Sequence, residues 1–283
     1  MKVICFDIGG TQIRAALAAD NGLIEVKRAP TRADGDPARL LSQIKEMYQA
    51  LGADADVFAL GCPGPVQGGK MLGSPPLRIA GDIDFQSEIK SFFKNPVFVA
   101  NDLNMATRAQ KKACNLSNFC LLTISTGIGV GAVSNGEVLN HRIEIGHSLV
   151  ESEPSKANSC MGHNGCWVAQ ASGSGIEKRL GKAQLPYTSL SDFFSQPDPR
   201  ILKEIQTYNA RGIANLIHAF DPEKIFVMGS VATYQFHNIM PSAEMLSRCC
   251  LLRPLPDIEL SQLGDDIGLL GALELAKEML WSK

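Results

Sequence analysis

The sequence predicts an α/β fold in two domains. Apolar runs of strand length alternate with amphipathic stretches of helix length through both halves. A strand, a glycine turn and a second strand stand near the start of each half, at residues 3–18 and 119–133. The 283 residues also exceed the usual span of one compact core, so two domains sharing a cleft are expected. The helix expected before residue 117 and the glycine hairpin after it repeat the order seen at the start. The join is therefore placed there, giving domains 1–117 and 118–283, with the last helix of the second free to pack back on the first.

Taken in order, residues 3–7 and 15–18 read as strands around the turn that opens with Ile8-Gly9-Gly10-Thr11. Residues 36–51 read as a helix, because Leu40, Leu41, Ile44, Met47, Tyr48 and Leu51 recur at helical spacing and Pro37 suits a first turn. A strand follows at 57–60, then Gly61-Cys62-Pro63-Gly64-Pro65, which continues neither regular element, and a glycine- and proline-rich loop at 70–83. A short buried strand at 96–100 runs into Asn101-Asp102, and helix formers dominate from there to 113. Residues 119–124 form the next strand, and Gly127, Gly129 and Gly131 make the turn of a second hairpin. A long helix at 201–219, a strand at 224–228 and a closing helix at 268–280 complete the chain, with Pro222 breaking the first two apart.

Bulk properties exclude several function classes. Hydrophobic residues at 45% and charged residues at 20% are those of an ordinary globular enzyme. A formal net charge of −2 gives no basic face for a nucleic acid or an anionic membrane, so neither is an expected partner. The apolar N-terminal run is broken at Asp7, too early for a signal or spanning segment, and a cytoplasmic location is expected. Eight cysteines do not imply disulfides at this size; Cys5, Cys62 and Cys120 lie in or beside apolar segments, where a neutral thiol acts as a small hydrophobe.

Three segments carry chemistry. Asp7-Ile8-Gly9-Gly10-Thr11 puts a carboxylate at a strand end and two glycines where backbone N–H groups can approach a phosphate; alone, it also fits plain turn chemistry. Thr123-Ile124-Ser125-Thr126-Gly127-Ile128-Gly129-Val130-Gly131 repeats that pattern, so one anion held from two sides is expected. No Gly-Lys-Ser or Gly-Lys-Thr follows and no helix starts directly after the glycines, which rules out the Walker and dinucleotide motifs. Between the two segments, Asp102 stands at a strand-to-helix junction. It can take a proton from an attacking hydroxyl or cap the helix, and the two uses are compatible.

Those segments, with Asn104, Glu144-Ile145-Gly146-His147, Gly162-His163-Asn164-Gly165-Cys166 and Ala171-Ser172-Gly173, resemble the ROK family over nearly the whole chain. The resemblance implies two actin-like (ribonuclease H-like) domains with ATP, Mg²⁺ and a sugar in the cleft, and a homodimer. The implied reaction is ATP-dependent phosphorylation of a hexose or N-acylhexosamine. Asp102 is the implied base, and Asn101, Glu144 and His147 are the implied partners of sugar hydroxyls. Asp7, Gly9, Gly10, Thr11, Thr126, Gly127, Gly129 and Gly229 fall to the nucleotide, Asp7 at the metal-phosphate end.

The chain also departs from the family's pattern. Where ROK kinases carry one histidine and three cysteines for zinc, Ser159 and Met161 replace two of the cysteines. A rearranged set of His147, Cys160, His163 and Cys166 and a metal-free packed loop are both open. Val168 stands where a sugar-contacting glutamate is usual, Pro76 replaces an asparagine, and Met228 replaces a glycine before Gly229. Ser125 and the Gly-His-Ser-Leu context at 146–149 look closer to N-acetylmannosamine kinases than to glucokinases. Two other classes compete. A sugar-responsive repressor needs an N-terminal DNA reader, for which the start at Asp7 leaves no room, and a sugar-binding protein without turnover is suggested by Val168 and the altered cysteines.

Overall fold

The computed structural model describes residues 1–32, 34–141, 143–182 and 184–281. The chain forms two compact units, one of Met1–Asn115 with Leu263–Lys283, the other of Leu116–Gln262. Among the described residues no helix is long and apolar enough to cross a membrane.

The first unit is built on strands β1 (Lys2–Ile8), β2 (Gln12–Ala19) and β3 (Gly22–Pro30), joined as an antiparallel meander. Period-2 alternation along β1 sends Ile4, Phe6 and Ile8 into one core and Val3 and Cys5 into another, so Asp7 follows the second face. Helix α1 (Pro37–Leu51) covers the first face with Leu40, Ile44, Met47 and Leu51. Asp36 caps it by accepting from Ala38 N at 2.9 Å, and Gly52 ends it in the left-handed region. Strand β4 (Val57–Cys62) pairs parallel with β1.

Residues 70–83, expected as loop, instead contribute to a three-stranded sheet of β5 (Val66–Gln67), β6 (Lys70–Ser74) and β7 (Ile79–Ile83). Buried Met71, Ile79 and Ile83 hold it to the core, and the interspersed glycines and prolines hid that alternation. Helix α2 (Phe85–Lys90) leads to β8 (Val97–Asn101), which pairs parallel with β4, and α3 (Asp102–Ala113) follows directly. The sheet order is β3-β2-β1-β4-β8.

The second unit repeats this plan. Strands β9 (Phe119–Ile124) and β10 (Ile128–Ser134) form the antiparallel hairpin and β11 (Glu137–Val138) its edge. The turn is residues 125–127 only. Gly129 and Gly131 lie within β10, opposite Thr123 and Leu121, because Ile128, Val130 and Ala132 alternate into the core and extend the strand through the glycines. A two-stranded hairpin, β12 (Ser159–Cys160) and β13 (His163–Asn164), precedes helices α4 (Trp167–Ala171), α5 (Gly173–Lys182), α6 (Leu190–Ser195) and α7 (Pro199–Phe220). Then come β14 (Lys224–Met228), α8 (Ser230–Ile239), α9 (Ala243–Cys249) and β15 (Asp257–Leu260). The order β11-β10-β9-β14-β15, with β9, β14 and β15 parallel, matches the first sheet strand for strand. This duplicated order is the one two ribonuclease H-like domains require.

Helix α10 (Ile267–Trp281) returns the chain to the first unit, where it packs on α3, β1, β2 and β4. Its Leu269, Ala272, Leu273, Leu275 and Ala276 join the face lined by Val3, Cys5, Ala16 and Val57. The join falls between Asn115 and Leu116, where 117/118 was expected, and residues from Leu263 onward, with the last helix that this expectation left free to pack back, belong with the first unit. Without α10 that second face of the sheet would keep only the cover that α3 supplies through Met105.

Candidate active site

In the first unit, Asp7, one residue before the end of β1, stands directly opposite Arg14 on β2, and side chains at directly opposite positions share a face. Arg14 Nη1 donates to Asp7 Oδ2 at 3.0 Å. Burial raises the Asp7 pKa, and the Arg14 guanidinium pulls it back. The turn beyond is closed by Gly9 N donating to Gln12 O at 2.9 Å, and Thr31 ties it down through its N to Thr11 O and its Oγ1 to Gly9 O. A Cβ on Gly10 would lie 3.0 Å from Pro76 O and 3.1 Å from Pro76 Cβ, so glycine lets the 75–77 turn lie close against this loop.

Asp102 reaches the same end of the sheet from β8. Asp7, Gly61 and Ala100 align across parallel β1, β4 and β8, so both carboxylates stand at the C-terminal edge, where open α/β sheets place their ligands. The helix cap is Asn101 rather than Asp102: Asn101 Oδ1 accepts from Leu103 N at 3.0 Å and Asn104 N at 3.2 Å, while its Nδ2 donates to Gly64 O at 3.0 Å. Asp102 becomes the first helical residue, oriented by accepting from Leu103 N at 2.8 Å. Burial pushes its pKa up to about 7, and the negative charge of Asp7 adds to the rise. Asn101, expected to meet a sugar hydroxyl, keeps one amide hydrogen beyond these bonds.

In the second unit, the Ser125-Thr126-Gly127 turn is held from two helices. Gly173 N donates to Ser125 O at 2.8 Å, Ser174 Oγ to Thr126 O at 2.9 Å, and Ser125 Oγ lies 3.2 Å from Ser230 Oγ at the start of α8. Gly229, just before α8, has φ +98°, and a Cβ there would lie 2.6 Å from Ile124 O, so no other residue fits. The turn leaves Thr126 and Gly127 exposed on a rigid base. Exposed Glu144 precedes a one-turn 3₁₀ helix at Ile145–His147. Gly146 presses that turn against the second hairpin: a Cβ there would lie 2.4 Å from Ile128 O and 3.1 Å from Val168 Cγ2.

His147 also faces the β12–β13 hairpin, where Cys160 and His163 are direct cross-strand partners. Its Nδ1 is 3.7 Å from the Sγ of both Cys160 and Cys166, and one ligand atom from each of His147, Cys160, His163 and Cys166 lies within 4.8 Å of the others. Tetrahedral zinc would separate S and N ligands by about 3.5 Å, so these donors fit with small movements. Burial and the adjacent Cys166 push the Cys160 thiol up to about 11. Protein groups also hold the loop. Val150 N and Glu151 N donate to Gly165 O, buried Asn158 donates to Ala169 O and Gly175 O, and Cys166 Sγ caps α4 by accepting from Ala169 N at 3.4 Å.

Two contributors escaped the sequence reading. Arg14 carried a signal, a lone basic residue in an otherwise apolar strand. Ser230 carried none, because its approach to Ser125 depends on the pairing of β9 with β14.

A family model described as the ROK family matches residues 3–279. The chain is 28% identical over 312 residues to an N-acetylmannosamine kinase of Haemophilus influenzae (strain PittGG), covering 100% of this chain and 98% of that one. Among solved structures, a ROK hexokinase from Thermus thermophilus superposes with a TM-score of 0.81 at 26% identity, over 100% of both chains. A ROK family glucokinase from Streptomyces griseus, in complex with glucose and AMPPNP, superposes with a TM-score of 0.78 at 21% identity, covering 98% of this chain and 100% of that one. The fold is thus the actin-like fold of these proteins.

Proposed function

This chain belongs to the ROK family, and from that premise we infer that it is an ATP-dependent sugar kinase whose general base is Asp102. The observation that carries the reading is Asp102 itself: a carboxylate with a pKa of about 7, on a rigid strand-to-helix junction beside a second carboxylate. A base poised there accepts the proton of a sugar hydroxyl as that oxygen attacks phosphorus. Asp7 belongs to the phosphate end, where its half-buried carboxylate, balanced only in part by Arg14, suits Mg²⁺. When bound, that cation would neutralise charge on the transferring phosphate. Gly10 and Thr11 offer backbone and hydroxyl donors to the nucleotide, as do Thr126 and Gly127, with Gly9, whose N–H closes the first turn on Gln12 O, and Gly229 shaping the two turns. We assign no direct nucleotide contact to Gly129, which lies within β10.

Glu144 and His147 are the sugar-orienting groups of the second unit. His147 serves twice without conflict, since Nδ1 faces the cysteines and Nε2 is left for a hydroxyl. His147, Cys160, His163 and Cys166 would hold zinc in a closed, four-ligand structural site. Val168, whose methyl lies against the Glu144–His147 turn, makes that wall apolar. It accommodates the methyl of an N-acyl group better than it holds another hydroxyl, so N-acylhexosamines are the preferred substrates. A kinase that consumes ATP works where ATP is made, which supports a cytoplasmic location.

The test is ADP release from ATP over a panel of hexoses and N-acylhexosamines, with the phosphorylated sugar identified by mass. The expected result is turnover with the highest kcat/KM on an N-acylhexosamine. ATP binding without phosphorylation of any sugar would favour the sugar-binding protein without turnover, and a preference for glucose would overturn the substrate assignment alone.

A further inference from the structure

Gly268 stands in the first turn of α10, and its Cα faces the Asp7 carboxylate. A Cβ at this position would lie 2.4 Å from Asp7 Cγ, 2.5 Å from Oδ2 and 2.7 Å from Oδ1, all far inside van der Waals contact. The carboxylate is tethered where it stands. Arg14 Nη1 holds Oδ2 at 3.0 Å, and the β1–β2 register fixes Arg14 opposite Asp7. The helix cannot yield either. One turn on, a Cβ at Gly271 would lie 1.8 Å from Met105 O, so the backbones of α10 and α3 are already in contact, and Arg28 Nη2 grips Asp266 Oδ1 at 2.6 Å just before the helix begins. Helix stability gives no reason for glycine here, since alanine is the better helix former. The partial positive charge of a helix N-terminus, in contrast, suits a carboxylate.

We propose that Gly268 is a positioning residue: the space left by its missing side chain, with Arg14 opposite, forms a socket that fixes the Asp7 carboxylate for Mg²⁺-nucleotide binding. The C-terminal helix thereby sets nucleotide affinity through a residue that touches neither nucleotide nor sugar. This rests on the phosphate-end role assigned to Asp7 above.

The test is a double-mutant cycle read by calorimetry of ADP binding, with and without Mg²⁺, on the full chain. Gly268→Ala should lower the melting temperature modestly, since the contact with Asp7 outweighs the gain in helix propensity, and weaken Mg²⁺-ADP binding by about tenfold or more. It should leave metal-free ADP binding nearly unchanged. Asp7→Asn should also weaken Mg²⁺-ADP, and adding Gly268→Ala to it should cost nothing further, because no charge remains to be misplaced. Wild-type affinity in Gly268→Ala beside a weakened Asp7→Asn, or strictly additive losses, would overturn the socket while leaving the role of Asp7 intact. Wild-type affinity in Asp7→Asn would overturn both. Should Gly268→Ala not fold, Arg14→Gln removes the tether and must show the same loss of additivity with Asp7→Asn.

Discussion

Burial and the charge of Asp7 act on Asp102 in one direction, and both favour its neutral form. The base works only when ionised, so kcat/KM should climb with pH and level off above about 7. Asp7→Asn removes the repulsion and should move that limb to lower pH; a limb unmoved by the change would show that Asp7 does not act on the base. Asp102→Asn should keep the fold and nucleotide binding and lower kcat by about 10²–10⁴-fold, and a variant of comparable activity would remove Asp102 from the mechanism. For the sugar wall, Val168→Glu returns an acceptor beside Gly146 and should shift the kcat/KM ratio toward glucose by roughly fivefold, the worth of one added hydrogen bond. An unchanged ratio would take Val168 out of the substrate pocket. The places of Asp7 and Asp102 were legible because a glycine turn follows the strand of the first and a strand-to-helix junction holds the second, both local patterns. Asn101 as the cap was not, because Asn and Asp are equal candidates for that position until backbone angles decide.

At the scale of elements, the β12–β13 hairpin shows how register decides chemistry. In sequence Cys160 is one residue out of step with the family's cysteine positions, yet pairing it with His163 puts both side chains on one face toward His147. Protein purified without chelator should carry about one zinc per chain, and Cys166→Ala should lose it. In protein without zinc the same change still removes the cap of α4 and should cost about 1 kcal/mol of stability. Absence of zinc together with normal stability would leave the loop held by packing and by Asn158 alone. Because zinc must displace the proton of a Cys160 thiol held near 11, its affinity should fall as pH is lowered. Long elements such as α1 and α7 were readable from their apolar period. The strands within 66–83 were not, since glycine and proline suppress the local signal while buried Met71 and Ile83 supply the stabilisation.

At the scale of the molecule, the second unit is one continuous segment and the first is completed only by α10. That helix buries Ile267, Leu269, Leu273 and Leu275, each worth about 1.5–3 kcal/mol, a sum comparable to the whole stability of a domain. A chain ending at Gln262 should therefore lose protection from hydrogen exchange across 1–115 while 116–262 stays protected. Equal protection in both would mean that α10 is dispensable to the first unit.

The sequence by itself determined the α/β class, the family and the types of group available for chemistry, because alternation, helical spacing and glycine-flanked carboxylates are local patterns. Only the tertiary structure decided that the chain's last helix closes the first unit and that Gly268 meets Asp7, which Arg14 in turn holds. It likewise decided that Ser230 braces the Ser125 turn. Those contacts join residues far apart in sequence, and no local period encodes them; they are chosen by which apolar faces must be covered and by the strand register that covering enforces.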